Sequence, residues 1–146
     1  MKDMHIREMV MEDYERVLEL MKRTPGITLR TADSAGAAKG YLERNPGLSF
    51  IAEVGSRLVG CAMAGHDGRR GYLQHVIVAP EYRGQGIGKQ LVGRCVTALN
   101  ALGIHKIHLD VLAGNASAMS FWKHLGWKQR EDIARFSLIT SEDKNA

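Results

Sequence analysis

Arg83-Gly84-Gln85-Gly86-Ile87-Gly88-Lys89 sets three glycines at alternate positions behind an arginine, just after the apolar run Val76-Ile77-Val78 and the turn residues Ala79-Pro80-Glu81-Tyr82. Glycine has no Cβ, so the backbone can turn sharply or come close to a ligand. Where such a run opens a helix, the unpaired amides of the first turn and the positive end of the helix dipole form an anion site. Arg83 adds a planar, permanently charged fork that matches phosphate oxygens. The chemistry this stretch supports is the grip of a pyrophosphate. A plain strand-to-helix turn is the bland alternative, and alternating glycines behind an arginine disfavour it.

Spacing separates three families that build such a cradle. A Walker A loop needs Gly, four residues, then Gly-Lys-Ser/Thr; counting back from Gly88-Lys89 finds Arg83 in place of Gly, and Gln90 stands where Ser or Thr belongs. The dinucleotide fingerprint Gly-x-Gly-x-x-Gly fits Gly84 and Gly86 but meets Lys89 at its third position, with Asp110 near the place of the ribose-binding acid. That reading stays open, although 146 residues leave no room for a separate substrate domain. Residues 83–88 also match the Gln/Arg-x-x-Gly-x-Gly/Ala signature, and so resemble the GNAT superfamily of acetyl-CoA-dependent N-acetyltransferases. A second motif, Asn115-Ala116-Ser117-Ala118-Met119-Ser120-Phe121-Trp122-Lys123-His124-Leu125-Gly126-Trp127, is similar to that family's Asn-initiated helix ending Phe-Tyr-x-x-x-Gly-Phe. The resemblance covers nearly the whole chain and is strongest over residues 72–127.

The resemblance implies an α/β (α+β) mixed sheet of about six to seven strands and about four helices, splayed between two central parallel strands at 72–78 and 106–112. It implies that backbone groups of Val76, Ile77 and Val78 hold the pantetheine arm and polarise the thioester carbonyl. Arg83, Gly84, Gln85, Gly86, Ile87, Gly88 and Lys89 are expected to hold the pyrophosphate, and Asn115 and Ser117 to reach the cofactor from the next helix. Acetyl-CoA is the expected acyl donor.

Direct attack of a neutral amine on a thioester requires an oxyanion donor, a proton acceptor and, ideally, an acid for the leaving thiolate. The family's usual acid is the tyrosine of the Phe-Tyr pair; this chain has Phe121-Trp122. An indole N–H donates a hydrogen bond but gives up no proton at useful pH, so Trp122 is not assigned that role. Tyr82 and Ser120 are weak substitutes, and a thiol of pKa about 8.5 is a tolerable leaving group unaided. For the base, Gln74 and His75 lie mid-strand where some family members carry carboxylates, and of the two only histidine titrates near neutrality. His75 is the expected base, with Asp110 as its neighbour on the adjacent strand; a merely structural histidine is an equal alternative. The missing tyrosine leaves a catalytically silent acyl-CoA sensor as the alternative function.

The elements that must position these groups follow from periodicity. Residues 4–10 read as a strand, and residues 13–23 carry apolar side chains at helical spacing. A second helix starts at Asp33 or Ser34 as N-cap and stops at Asn45-Pro46-Gly47. Strands are expected at 49–54, 58–64 and 72–78, a long helix at 85–102 closed by Gly103, a strand at 106–112, a short helix at 115–125 and a last strand at 133–140. Cys61 and Cys95 fall on apolar positions and read as core. His105, His108 and Asp110 lack a third ligand on one face, so no metal is expected. Arg69-Arg70 reads as a solvated loop pair. The acceptor is expected to meet the loops at 24–33 and 66–71.

Composition sets outer bounds. With 45% hydrophobic and 25% charged residues, the chain is of ordinary globular make-up, which excludes disorder and collagen-like order. No apolar run reaches the ~18 residues of a membrane span. The opening Met1-Lys2-Asp3-Met4-His5 leads into charged, periodic sequence, so no secretory signal is expected, and two cysteines without Cys-x-x-Cys spacing predict a reducing cytoplasm. The net charge of +4 is scattered except at Lys22-Arg23 and Arg69-Arg70, which suits a small polyanion at least as well as nucleic acid. With the motifs added, the expectation is one N-acetyltransferase domain over residues 1–146, acting on a small-molecule or peptide amine, with no nucleic-acid or membrane partner. The resemblance also implies a homodimer, with no interface fixed by this sequence.

Overall fold

Leu58-Val59-Gly60-Cys61-Ala62-Met63-Ala64-Gly65 is a nearly unbroken apolar run, the composition of a strand covered on both faces. In the computed structural model, which describes residues 3–146, this run is the middle of a five-stranded sheet. The strands are β1 (Met4–Glu8), β2 (Phe50–Val54), β3 (Arg57–His66), β4 (Gly71–Val78) and β5 (Ile107–His108), in that spatial order. The first three pairings are antiparallel and β4–β5 is parallel. The chain divides into two units, Met1–Leu109 and Asp110–Ala146. Met1 and Lys2, on which part of the leader reading rests, lie outside the described residues.

In the first unit, helices α1 (Tyr14–Lys22), α2 (Ala35–Arg44) and α3 (Ile87–Ala101) cover the sheet. Alternation along β3 sorts them. A Cβ at Gly60 would meet Leu91 and Ile87 of α3, whereas one at Gly65 would meet Tyr41 of α2 and the following Asn45. Positions 60 and 65 have opposite parity, so α3 and α2 lie on opposite faces. Leu91, Val92, Cys95 and Leu99 form the buried stripe of α3, and Val17, Leu20 and Met21 that of α1. Helix α3 ends in a Schellman turn: the Gly103 amide bonds the Asn100 carbonyl and the Ile104 amide the Leu99 carbonyl.

The second unit holds α4 (Ala116–His124), capped by the Asn115 side chain accepting from the Ala118 amide at 3.0 Å. Among the described residues, no helix is long and apolar enough to cross a membrane.

The mixed sheet with four helices is the expected architecture, but with fewer strands than the six to seven implied. Among the described residues, the parallel strand expected at 106–112 is reduced to a short ladder at Ile107 and His108, with the Lys106 carbonyl accepting from the Gly71 amide. The strand expected at 133–140 is absent: its alternating apolar residues Ile133, Phe136 and Leu138 are exposed, and residues 128–140 carry no strand. Strand propensity describes fitness for a pleated, half-covered surface; among the described residues no neighbouring strand supplies a ladder to this segment.

Candidate active site

Strand β4 runs out through Ala79 into a single 3-10 turn, Pro80–Tyr82, with proline at its first position. Two left-handed glycines follow, Gly84 at φ +77° and Gly86 at φ +82°, the latter being the N-cap of α3. Any other L-residue would be strained there by roughly 1–2 kcal/mol. Nothing lies within 4 Å of where a Cβ would stand at either glycine, so open space faces the turn. Gly88 is different: it is buried inside α3. The first helical bond of α3 runs from the Gln90 amide to the Gly86 carbonyl, so the amides of Ile87, Gly88 and Lys89 precede it. No acidic residue stands in that first turn, and Lys89, Gln85 and Arg83 are exposed around it. Arg83 Nε also donates to the Val78 carbonyl at 3.1 Å, fixing the loop to the strand end. The whole is a positively charged, glycine-lined helix start with open space before its first-turn amides, an arrangement that attracts anions.

Beyond Tyr72, β4 has only β3 as a strand partner among the described residues. The opposite edge of residues 73–78, including Val76, Ile77 and Val78, therefore carries main-chain donors and acceptors that meet no strand among the described residues, the feature by which a strand edge can pair with an added extended segment.

The register between β3 and β4 slips in the middle of this stretch. Cys61 pairs with Ile77 and Met63 with Gln74, so two steps on β3 oppose three on β4. The extra residue makes a bulge at His75, which is the one non-glycine residue with positive φ (48°) among the described residues. A regular strand sends successive side chains to opposite faces. Here the bulge turns both Gln74 and His75 into one cavity of about 230 Å³, shared with Tyr14, Val17 and Met21 of α1, Tyr41 of α2, and Met63.

The ring of His75 has a partner in that cavity. Its Nε2 lies 2.6 Å from Asp33 Oδ1, with the two side chains only 19% and 15% exposed. Asp33 ends a 3-10 turn, Thr31–Asp33, and is held from three sides. Its Oδ2 accepts from the Arg30 amide at 2.9 Å, and its carbonyl accepts from the Tyr14 hydroxyl at 2.7 Å. Burial, with the charges of Glu15 and Asp33 added, keeps the Tyr14 hydroxyl above the ordinary phenol range. With Nε2 turned to a carboxylate, a neutral His75 keeps its proton there and leaves Nδ1 as the free acceptor.

Sequence reading did not find Asp33 in this role. It treated Asp33 and Ser34 as rival N-caps of α2; Ser34 caps the helix, its Oγ accepting from the Ala37 amide at 3.3 Å, which frees Asp33. Asp110, the expected neighbour of His75, falls in the second unit, where it is ion-paired with Arg135 at 2.9 Å. Also in that unit, Trp122 packs edge-on between Phe121 and Trp127, ring centroids 5.0 Å from each, while Ser117 and Ser120 are exposed on α4. Tyr82 lies under the guanidinium of Arg57, which pairs with Glu81. The His108 ring leans on Tyr72, and Arg69 and Arg70 turn their amides onto Asp67 Oδ1 in an exposed loop. Cys61 and Cys95 are buried, and burial pushes both thiols up to about 12, so neither is a nucleophile at neutral pH.

Comparison with known proteins gives the family. The family described as "Acetyltransferase (GNAT) family" matches residues 7–127. The chain is 31% identical over 141 residues to Acetyltransferase SG1711 of Sodalis glossinidius, covering 97% of this chain and 99% of that one. It is 33% identical over 125 residues to Acetyltransferase ECA0875 of Pectobacterium atrosepticum, covering 86% and 88%. In fold it is similar to the PaiA N-acetyltransferase of Thermoplasma acidophilum, crystallised in complex with coenzyme A, with TM-score 0.78 at 23% identity over 86% of this chain and 90% of that one.

Proposed function

The chain belongs to the GNAT family of acetyltransferases, and from that premise we propose that it moves the acetyl group of acetyl-CoA onto a primary amine by direct attack, with His75 as the base and Asp33 as the residue that positions it. One observation carries the reading: His75, paired with Asp33, faces a cavity from the same strand whose outer edge beyond Tyr72, without a strand partner among the described residues, leads to the glycine cradle.

The donor supplies the acetyl group and a thiol leaving group. Main-chain groups of Val76, Ile77 and Val78 align its arm, and an amide of that edge stabilises the oxyanion. Arg83, Lys89 and the amides at the start of α3 hold the diphosphate, with Gly84 and Gly86 giving it room. An amine arrives as an ammonium ion, its proton leaving to His75 Nδ1 directly or through water. The nitrogen then forms a bond to the carbonyl carbon as the carbon–sulfur bond breaks; the nitrogen's second proton passes, directly or through water, to the leaving thiolate, and the imidazolium returns the first proton to solvent, leaving amide, thiol and one released proton. Asp33 keeps Nδ1 as the acceptor and stabilises the imidazolium, and Gln74 lines the cavity beside it.

The test has two readouts. Calorimetry should show acetyl-CoA binding, and thiol release should appear with amines in a broad panel. Binding without release in any case would favour the silent sensor instead. In active protein, His75→Ala should lower the rate about 10²–10⁴-fold, the usual contribution of a positioned base, and change the shape of the pH–rate profile. An unchanged profile would discard His75.

A further inference from the structure

We infer that the acceptor is a small monoamine whose body is apolar, and that the cavity beneath His75 selects against a second positive charge; this rests on the proposed transfer reaction. At about 230 Å³ the cavity is smaller than the ~300–1,000 Å³ of sites for drug-sized ligands. Its walls away from the Asp33–His75 pair are Met9, Val17, Met21, Ala38 and Met63, all nearly fully buried. Three of these are methionines, whose flexible thioethers adapt to an apolar shape. The one carboxylate in the lining is Asp33, and both its oxygens are occupied, by His75 and by the Arg30 amide.

Charge accounting then distinguishes acceptor classes. The reacting amine passes its proton to His75, so its charge is met there by Asp33 as an ion pair with the imidazolium. A diamine, polyamine or amino sugar would bring a second ammonium among methionine and valine side chains, with no carboxylate to meet it, and buried charge without a partner is strongly disfavoured. A peptide would bring main-chain amide groups that need hydrogen bonds, and beyond the pair the cavity's polar side chains are Gln74 and two tyrosine hydroxyls. Tyr14 already gives its proton to the Asp33 carbonyl. An alkyl or arylalkyl amine leaves none of these demands unmet.

The experiment compares hexylamine, phenethylamine, 1,6-diaminohexane, spermidine and a tripeptide with N-terminal leucine, read by thiol release at saturating acetyl-CoA. Hexylamine and its diamine differ only by the far ammonium group, and kcat/KM should be at least tenfold higher for hexylamine. An equal or better diamine, polyamine or peptide overturns the monoamine class while leaving the transfer reaction standing. No release with any amine strikes the reaction itself. Ala38→Leu, which narrows the cavity, should raise KM for hexylamine at least tenfold with acetyl-CoA affinity unchanged; an unchanged KM overturns the inference. Met21→Ala keeps the test decisive if that variant does not fold: by lengthening the cavity it should move the preference from hexylamine toward octylamine, and an unmoved preference likewise overturns the inference.

Discussion

His75 Nε2 meets Asp33 Oδ1 at 2.6 Å across 42 positions of sequence, joining a strand bulge to the turn that precedes α2. Because the Arg30 amide and the Tyr14 hydroxyl hold the same aspartate, the ring is oriented by a braced group rather than a free side chain. Asp33→Asn keeps the size and one acceptor oxygen but removes the charge that stabilises an imidazolium. It should lower kcat about tenfold or more, leave the acetyl-CoA KM unchanged, and add little to His75→Ala in the double variant. A merely structural role would instead give losses independent of His75. Steady-state kinetics on the two single variants and the double variant decide between them.

The cradle makes a separate prediction. At Gly84 and Gly86 an added Cβ collides with no protein atom, so the intramolecular effect is strain alone, roughly 1–2 kcal/mol at each left-handed position. If the diphosphate occupies the space that faces them, Gly86→Ala should weaken acetyl-CoA binding about tenfold or more by calorimetry, while lowering Tm by only a few degrees. Gly93→Ala, on α3 and also in open space with no positive φ, is the control and should leave affinity intact and stability equal or higher.

A buried ionic cluster ties β1 to α1 and β2. Asp13, 3% exposed, takes bonds from Arg7 at 2.7 Å and Arg16 at 3.0 Å, and both arginines reach on to Glu53. Burial alone would raise the Asp13 carboxyl, but the Arg7 bonds, the Val10 amide and Arg16 outweigh it, and the group titrates below its ordinary value. A lowered folded-state pKa contributes stability above the unfolded value of about 4 and loses it as pH falls through the folded one. Asp13→Asn should therefore cost about 3 kcal/mol at pH 7, the low end for breaking a buried pair because both guanidinium groups reach solvent. The gap between wild type and variant in urea denaturation should shrink below about pH 4; a gap constant with pH would place the effect in packing.

Much of this was legible from residue order. The glycines at 84 and 86 announce their left-handed turn, and the apolar run of β3 announces a strand covered twice. The helix caps at Ser34, Asn115 and Gly103 follow local rules and fall where periodicity puts them. What could not be read depends on distant partners. The bulge at His75 arises from pairing between β3 and β4, which no single strand records. Asp33 reaches His75 only because α2 packs where it does, and its sequence neighbourhood is equally that of a helix cap. The apolar alternation at residues 133–140 shows the converse, since its pattern suits a strand and it has no ladder among the described residues.

Gly65 and Tyr41 provide the last test, of how α2 seats on the sheet. A Cβ at Gly65 would lie 2.9 Å from Tyr41 Oη and 2.9 Å from Asn45 Nδ2, closer than packed side chains tolerate. Asn45 has little freedom to yield, since its Nδ2 donates to the Tyr41 carbonyl and its Oδ1 accepts from the His66 amide. Tyr41 Oη is buried without a hydrogen-bond partner, and burial holds its proton well above the ordinary phenol range. Gly65→Ala should thus destabilise by about 1–3 kcal/mol through overpacking. Tyr41→Phe deletes an oxygen that has no bond to lose, so alone it should be neutral or stabilising. Combined with Gly65→Ala it should recover part of the loss, because one of the two clashing atoms is gone while the Asn45 amide remains. Strict additivity of the two changes in denaturant unfolding would show that the ring and the strand do not meet as described.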